Sequence, residues 1–81
     1  MSARRRLIDT FLHSLNLPEG IDVHSLAYRT VPTWDSVGHM QLVAAIENTF
    51  EVMMETQDII KLSSFDKAVE ILERHGVDAS H

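Results

Sequence analysis

Cysteine is absent from this 81-residue chain. Neither a disulfide nor a thiolate metal site can hold the fold, and any working thiol has to arrive on an added group. Aromatic residues make up only 6% of the chain against 44% for all apolar residues, so the core must be built mainly from aliphatic side chains and methionine. That composition suits a small helical bundle and excludes a disordered chain. No apolar run approaches the roughly 18 residues that cross a bilayer, and the N-terminal stretch lacks an apolar core of secretory type. The expected location is the cytoplasm, with no membrane partner. At this length one domain spanning residues 1–81 is the expected organisation, and a monomer the expected state.

Positive charge is also scarce, with seven bases against twelve acids, and the imbalance is concentrated in one half. Residues 35–81 hold nine acids and three bases, a balance that repels nucleic acid and attracts basic protein surfaces. Arg4, Arg5 and Arg6 form the one basic cluster, and the expected reading is a solvated first helical turn.

What is present has helical spacing. Leu7, Ile8, Phe11, Leu12 and Leu15 recur at intervals of three and four, which predicts an amphipathic helix over residues 3–15. Asn16, Pro18 and Gly20 stop it, and residues 18–34 read as a long ordered loop, pinned to the core by Ile21, Val23, Leu26 and Tyr28. A loop of that length needs a purpose. Asp35 and Ser36 are N-cap residue types, and the second helix runs from there to about residue 52. Leu42, Val43, Ile46, Phe50 and Met53 are expected to face the core. Val37, Met40, Gln41, Ala44, Glu47 and Glu51 fall on its outer face. Residues 55–62 make a short helix with Ile59 and Ile60 inward. Ser63 or Ser64 caps a last helix that ends near His75 at Gly76, with Ala68, Val69, Ile71 and Leu72 buried. The predicted class is all-α, a four-helix bundle of three longer helices and one short one.

The informative stretch is Trp34-Asp35-Ser36-Val37-Gly38-His39-Met40-Gln41-Leu42-Val43, placed where the long loop becomes a helix. It resembles the signature of the acyl carrier protein family, in which an Asp-Ser-aliphatic tripeptide opens the second helix. The resemblance extends over the order of all four helices and implies the acyl-carrier-like bundle. It implies that Ser36 receives 4'-phosphopantetheine from coenzyme A through a phosphopantetheinyl transferase, that Asp35 assists that transferase, and that the arm holds acyl groups as thioesters. It also implies docking on the outer face of the second helix, through Val37, Met40, Gln41, Ala44, Glu47 and Glu51. The partners implied are an acyl or aminoacyl ligase and acyltransferase or synthase enzymes. Gly38, Gln41 and Asn48 stand where carriers of fatty acid biosynthesis often have acids, and the Trp-Asp-Ser-x-Gly-His pattern is similar to stand-alone carriers of specialised pathways, polyketide-like or aminoacyl-type. The aspartate before the serine is unlike the peptidyl carriers of nonribosomal synthesis.

A serine at a helix start suits an anionic graft on independent grounds, because the first-turn amides and the helix dipole favour negative charge there. Without the motif, Ser36 reads as an ordinary cap, and the chain as an unmodified helical interaction module. Met53 and Met54 are adaptable gap fillers, which suggests an acyl pocket near Val43, Ile46, Phe50, Met54 and Ile60. Ser36, His39 and Asp35 are neighbours in sequence but lie in no nucleophile-elbow motif, so no enzyme activity is expected. His13, His24, His39, His75 and His81 show no metal-site spacing and read as surface residues, with no metal expected.

Overall fold

The computed structural model describes residues 2–79 of the chain. Four helices follow in order: α1 (Ala3–Ser14), α2 (Ser36–Phe50), α3 (Thr56–Lys61) and α4 (Phe65–Arg74), with no strand among the described residues. The class is all-α.

Each of α1, α2 and α4 starts on a short polar side chain that accepts a first-turn amide. Ser2 takes Arg5 N–H, Asp35 takes Gly38 N–H and Ser64 takes Lys67 N–H, at 3.1, 2.9 and 3.1 Å. Such a cap stabilises a helix by about 1 kcal/mol. The three also end alike, on a residue in the left-handed region followed by an amide that reaches back five residues. Asn16, Glu51 and Gly76 have φ of 52°, 54° and 86°. Leu17, Val52 and Val77 donate to the carbonyls of Leu12, Glu47 and Leu72. Gly76 stops α4 where the sequence placed the end, but α2 ends before Glu51, two residues short of the predicted 52. A glutamate there carries none of the signal that a glycine gives.

The buried residues form one continuous cluster. Leu7 and Phe11 of α1 and its C-cap Leu15 meet Leu42, Val43 and Ile46 of α2 and Ala68, Ile71 and Leu72 of α4. Phe11 sits at its centre, edge-on to Trp34 at 5.6 Å and to Phe65 at 5.2 Å. Each such pair contributes about 0.5–1.5 kcal/mol beyond its burial. Neither Trp34 nor Phe65 was placed in the core by helical periodicity, since one precedes α2 and the other opens α4.

The loop between α1 and α2 is ordered by its own bonds. A 3-10 turn at Val23–Ser25 is capped by Asp22, and Val23 and Leu26 are buried beside it. Tyr28 N–H then donates to Ser63 O at 2.8 Å, forming an isolated antiparallel bridge to the start of α4. Val23 and Leu26 pin the loop as expected and Ile21 packs partly against the core, but Tyr28 is 36% exposed.

Two of the three N-terminal arginines are not merely solvated. Arg6 donates to the Thr49 carbonyl at the end of α2 at 2.5 Å and lies over the Phe50 ring. Arg4 lies over the Phe65 ring. Arg5 pairs with Asp9 across one turn of exposed helix. No described helix is long and apolar enough to cross a membrane.

Candidate functional site

The first turn of α2 is built around Gly38. A Cβ at that position would stand 1.8 Å from the Thr33 carbonyl oxygen and 3.4 Å from a Leu15 methyl. Only a residue with no side chain lets the helix rest directly on the loop backbone. Asp35 caps the turn, and Ser36 follows as its first helical residue, exposed to solvent.

Trp34 and His39 lock this turn to the rest of the fold. The Trp34 Nε1–H donates to His39 Nδ1 at 3.0 Å, with the two rings stacked. The proton of His39 is thereby placed on Nε2, which donates to the Ile59 carbonyl in α3 at 2.8 Å. His39 is a structural bridge rather than the surface histidine expected. With both ring nitrogens committed, it is not poised to take a proton from Ser36.

Over Ser36 sits Tyr28. Its hydroxyl lies 3.4 Å from Ser36 Oγ, and its ring packs 5.2 Å from the His39 ring. The next residue, Arg29, holds φ at 69°, an uncommon state for a side-chain-bearing residue. It is held by its own N–H, which donates to the Trp34 carbonyl at 3.0 Å. The loop is tied further by Thr30, whose hydroxyl donates to Ala27 O at 2.6 Å and accepts from Ala27 N–H at 2.9 Å. The Arg29 guanidinium lies 5.4 Å from the centre of the Tyr28 ring. Hydrogen bonding to Ser36, then to Arg29, lowers the Tyr28 phenol from its ordinary value, with the Asp35 charge acting in the opposite sense. The Tyr28 contact in turn raises Arg29. Neither Tyr28 nor Arg29 was named from the sequence as part of a site, because only the loop geometry brings them back to Ser36.

Among the outer-face residues, Val37 and Met40 are 66% and 54% exposed, and Gln41, Ala44 and Glu51 are exposed as well. Glu47 is different. It is half-buried, and its carboxylate accepts from Met54 N–H at 2.9 Å, so it staples the turn between α2 and α3. The residues expected to form an acyl pocket do not share one environment. Val43, Ile46 and Met54 are buried in the core, and Phe50 is half-buried under Arg6. Ile60 points outward at 76% exposure, as does Met53 at 81%. Ile60 faces outward because six-residue α3 turns Asp58 inward, and a helix that presents residue 58 to the core presents residue 60 to solvent, whereas Met53 lies beyond the end of α2 at Phe50 and so is not on the helical face expected for it.

Asp58 itself was not identified from the sequence. It is 1% exposed and accepts from Glu55 N–H at 3.2 Å, from His75 Nε2 at 2.9 Å, and stands 3.2 Å from the Arg74 guanidinium. The His75 hydrogen bond does most to hold its carboxyl below the ordinary value of 3.8, with the Glu55 amide and Arg74 adding to it against desolvation. His75 is therefore a second histidine that works inside the fold. His24 bonds the exposed Asp66 at 3.0 Å, and His81 lies outside the described residues. Among the described residues, no group of three or more His, Asp or Glu side chains is arranged to hold a metal ion.

No protein-family model matches the chain, and no curated protein or solved structure matches it.

Proposed function

We propose that the chain is an acyl carrier protein that holds acyl intermediates as thioesters on a 4'-phosphopantetheine arm attached to Ser36, within an acyl-carrier-like bundle. The observation that carries this reading is the position of Ser36, the first residue of the 15-residue α2, exposed and directly after its capping aspartate. Order of elements supports it too: a helix, a long tied loop, the Asp-Ser helix, a six-residue helix and a last helix.

The residues present fit the arm. A phosphodiester on exposed Ser36 Oγ would stand at the positive end of α2, next to Tyr28, whose ring Arg29 covers, with no part of the core displaced. The arm supplies the thiol that the cysteine-free chain lacks. Ser36 Oγ loses its proton in the transferase's active site and bonds to the phosphorus nearer the pantetheine, while the adenosine half of the pyrophosphate leaves. The chain contributes an accessible hydroxyl on a fixed helix start. Asp35 caps that start through Gly38 N–H and thereby sets the direction in which Ser36 projects.

Val37 and Met40 offer exposed apolar surface next to Ser36, with Gln41, Ala44 and Glu51 beyond them, as a docking face for the transferase, the ligase and acyltransferase or synthase partners. Glu47 is assigned to the fold and not to that face. Cargo in a specialised polyketide-like or aminoacyl-type pathway fits the Trp-Asp-Ser-x-Gly-His pattern.

The test is coexpression with a broad-specificity phosphopantetheinyl transferase, followed by intact-protein and peptide mass spectrometry. The expected outcome is a gain of one phosphopantetheine on Ser36. An unmodified protein beside an efficiently loaded control carrier would reject the reading and leave an unmodified interaction module in its place.

A further inference from the structure

We propose that Tyr28 and Arg29 form a side-chain clamp for the phosphodiester anion on Ser36, fixing the root of the arm against the loop. This rests on Ser36 as the attachment point and goes further, because it assigns two positioning residues on another segment of the chain.

The geometry has three parts. First, the Tyr28 hydroxyl already meets Ser36 Oγ at 3.4 Å, so an oxygen of a phosphate bonded to that Oγ falls within reach of the same phenol. Second, Arg29 places a guanidinium over the Tyr28 ring from a backbone state with φ of 69°, which the Trp34 carbonyl holds in place. An arginine in so uncommon a conformation is positioned by its surroundings at some cost in backbone energy. Third, both side chains are exposed, so neither must be desolvated before the anion arrives. A guanidinium binds phosphate oxygens through directed N–H donors, and a phenol adds one more donor. The charged groups around the site are Arg29 and Asp35. Asp35 opposes a second anion, and Arg29 offsets it.

Tyr28 is the one tyrosine of the chain, which makes the test direct. The purified full-length protein is titrated by tyrosinate absorbance before and after loading with phosphopantetheine, and the loaded protein is examined by phosphorus NMR. The clamp predicts that loading raises the Tyr28 titration midpoint, because the phenol then donates to an anion and its own ionisation adds a like charge. It also predicts that the phosphorus resonance of the loaded protein shifts in Arg29→Gln and again in Tyr28→Phe. Arg29→Gly, which suits the backbone at that position, serves as the second variant and should give the same phosphorus change as Arg29→Gln. A loaded protein whose phenol titrates as before, and whose phosphorus resonance ignores all three substitutions, overturns the clamp while leaving the carrier reading intact. Failure to load Ser36 at all overturns both.

Discussion

The Trp34 indole N–H donates to His39 Nδ1 at 3.0 Å, and the opposite nitrogen of that histidine reaches the Ile59 carbonyl at 2.8 Å. One imidazole thus joins the residue that precedes the Asp35 cap of α2 to the middle of α3, through a fully buried indole. The pairing needs an acceptor on one side of the ring and a donor on the other. Among side chains, neutral histidine supplies both on one rigid frame.

His39→Leu should therefore destabilise the fold by about 1–3 kcal/mol, since it leaves the buried Trp34 N–H without a partner. Urea unfolding followed by tryptophan fluorescence measures this directly. A change within experimental error would show that the bridge contributes nothing net.

Gly38→Ala should cost at least about 1–3 kcal/mol, the range for forcing extra volume into a packed site, because the added carbon meets backbone rather than a movable side chain. Ala is the better helix former in isolation, so intrinsic propensity predicts the opposite sign. Thermal unfolding of the two proteins decides between propensity and contact.

Ser36→Ala should abolish the mass gain on incubation with transferase and coenzyme A while leaving the circular dichroism spectrum and the unfolding midpoint close to wild type. Ser36 is exposed, and the capping bond belongs to Asp35. Loss of helix in this variant would mean that the serine serves the fold instead.

Asp58 predicts a pH dependence. Its folded carboxyl lies below the ordinary value of 3.8, so its contribution to stability is complete above that value and is lost as the pH falls through the depressed folded value. Asp58→Asn should lower stability at neutral pH by about 1–3 kcal/mol and flatten the decline in unfolding free energy over roughly pH 5 to 2. Equal slopes for both proteins across that window would refute the assignment.

Ile60→Ser should leave stability within about 0.5 kcal/mol of wild type, as expected for a solvent-facing position. The buried acyl-pocket reading predicts a loss several times larger, so a single denaturation curve separates the two.

Much of the fold was legible because helical periodicity and polar caps act locally. Leu7 and Phe11, Leu42 and Ile46, and Ala68 and Leu72 announced their buried faces through spacing alone, and Ser64 and Gly76 marked where α4 starts and stops. The start of α2 was legible from the two cap-type residues Asp35 and Ser36. The rest was hidden by interactions that join distant segments. Trp34 and Tyr28 lie on the loop, where no period reports which way a side chain turns. Ile60 was misplaced because six residues are too few for a period to fix a face. Glu47 was read as part of the outer face of α2 and Asp58 was given no role, yet each satisfies a backbone amide near the start of α3, and Asp58 also meets two bases from the end of α4.

The missing side chain at Gly38 has a mechanical consequence. Loop carbonyl and helix turn touch without any rotatable group between them, so the two segments behave as a single bracket. A load hung from Ser36 would take its bearing from that bracket and its reach from its own bonds, which sets apart the choice of where to point from the freedom to extend.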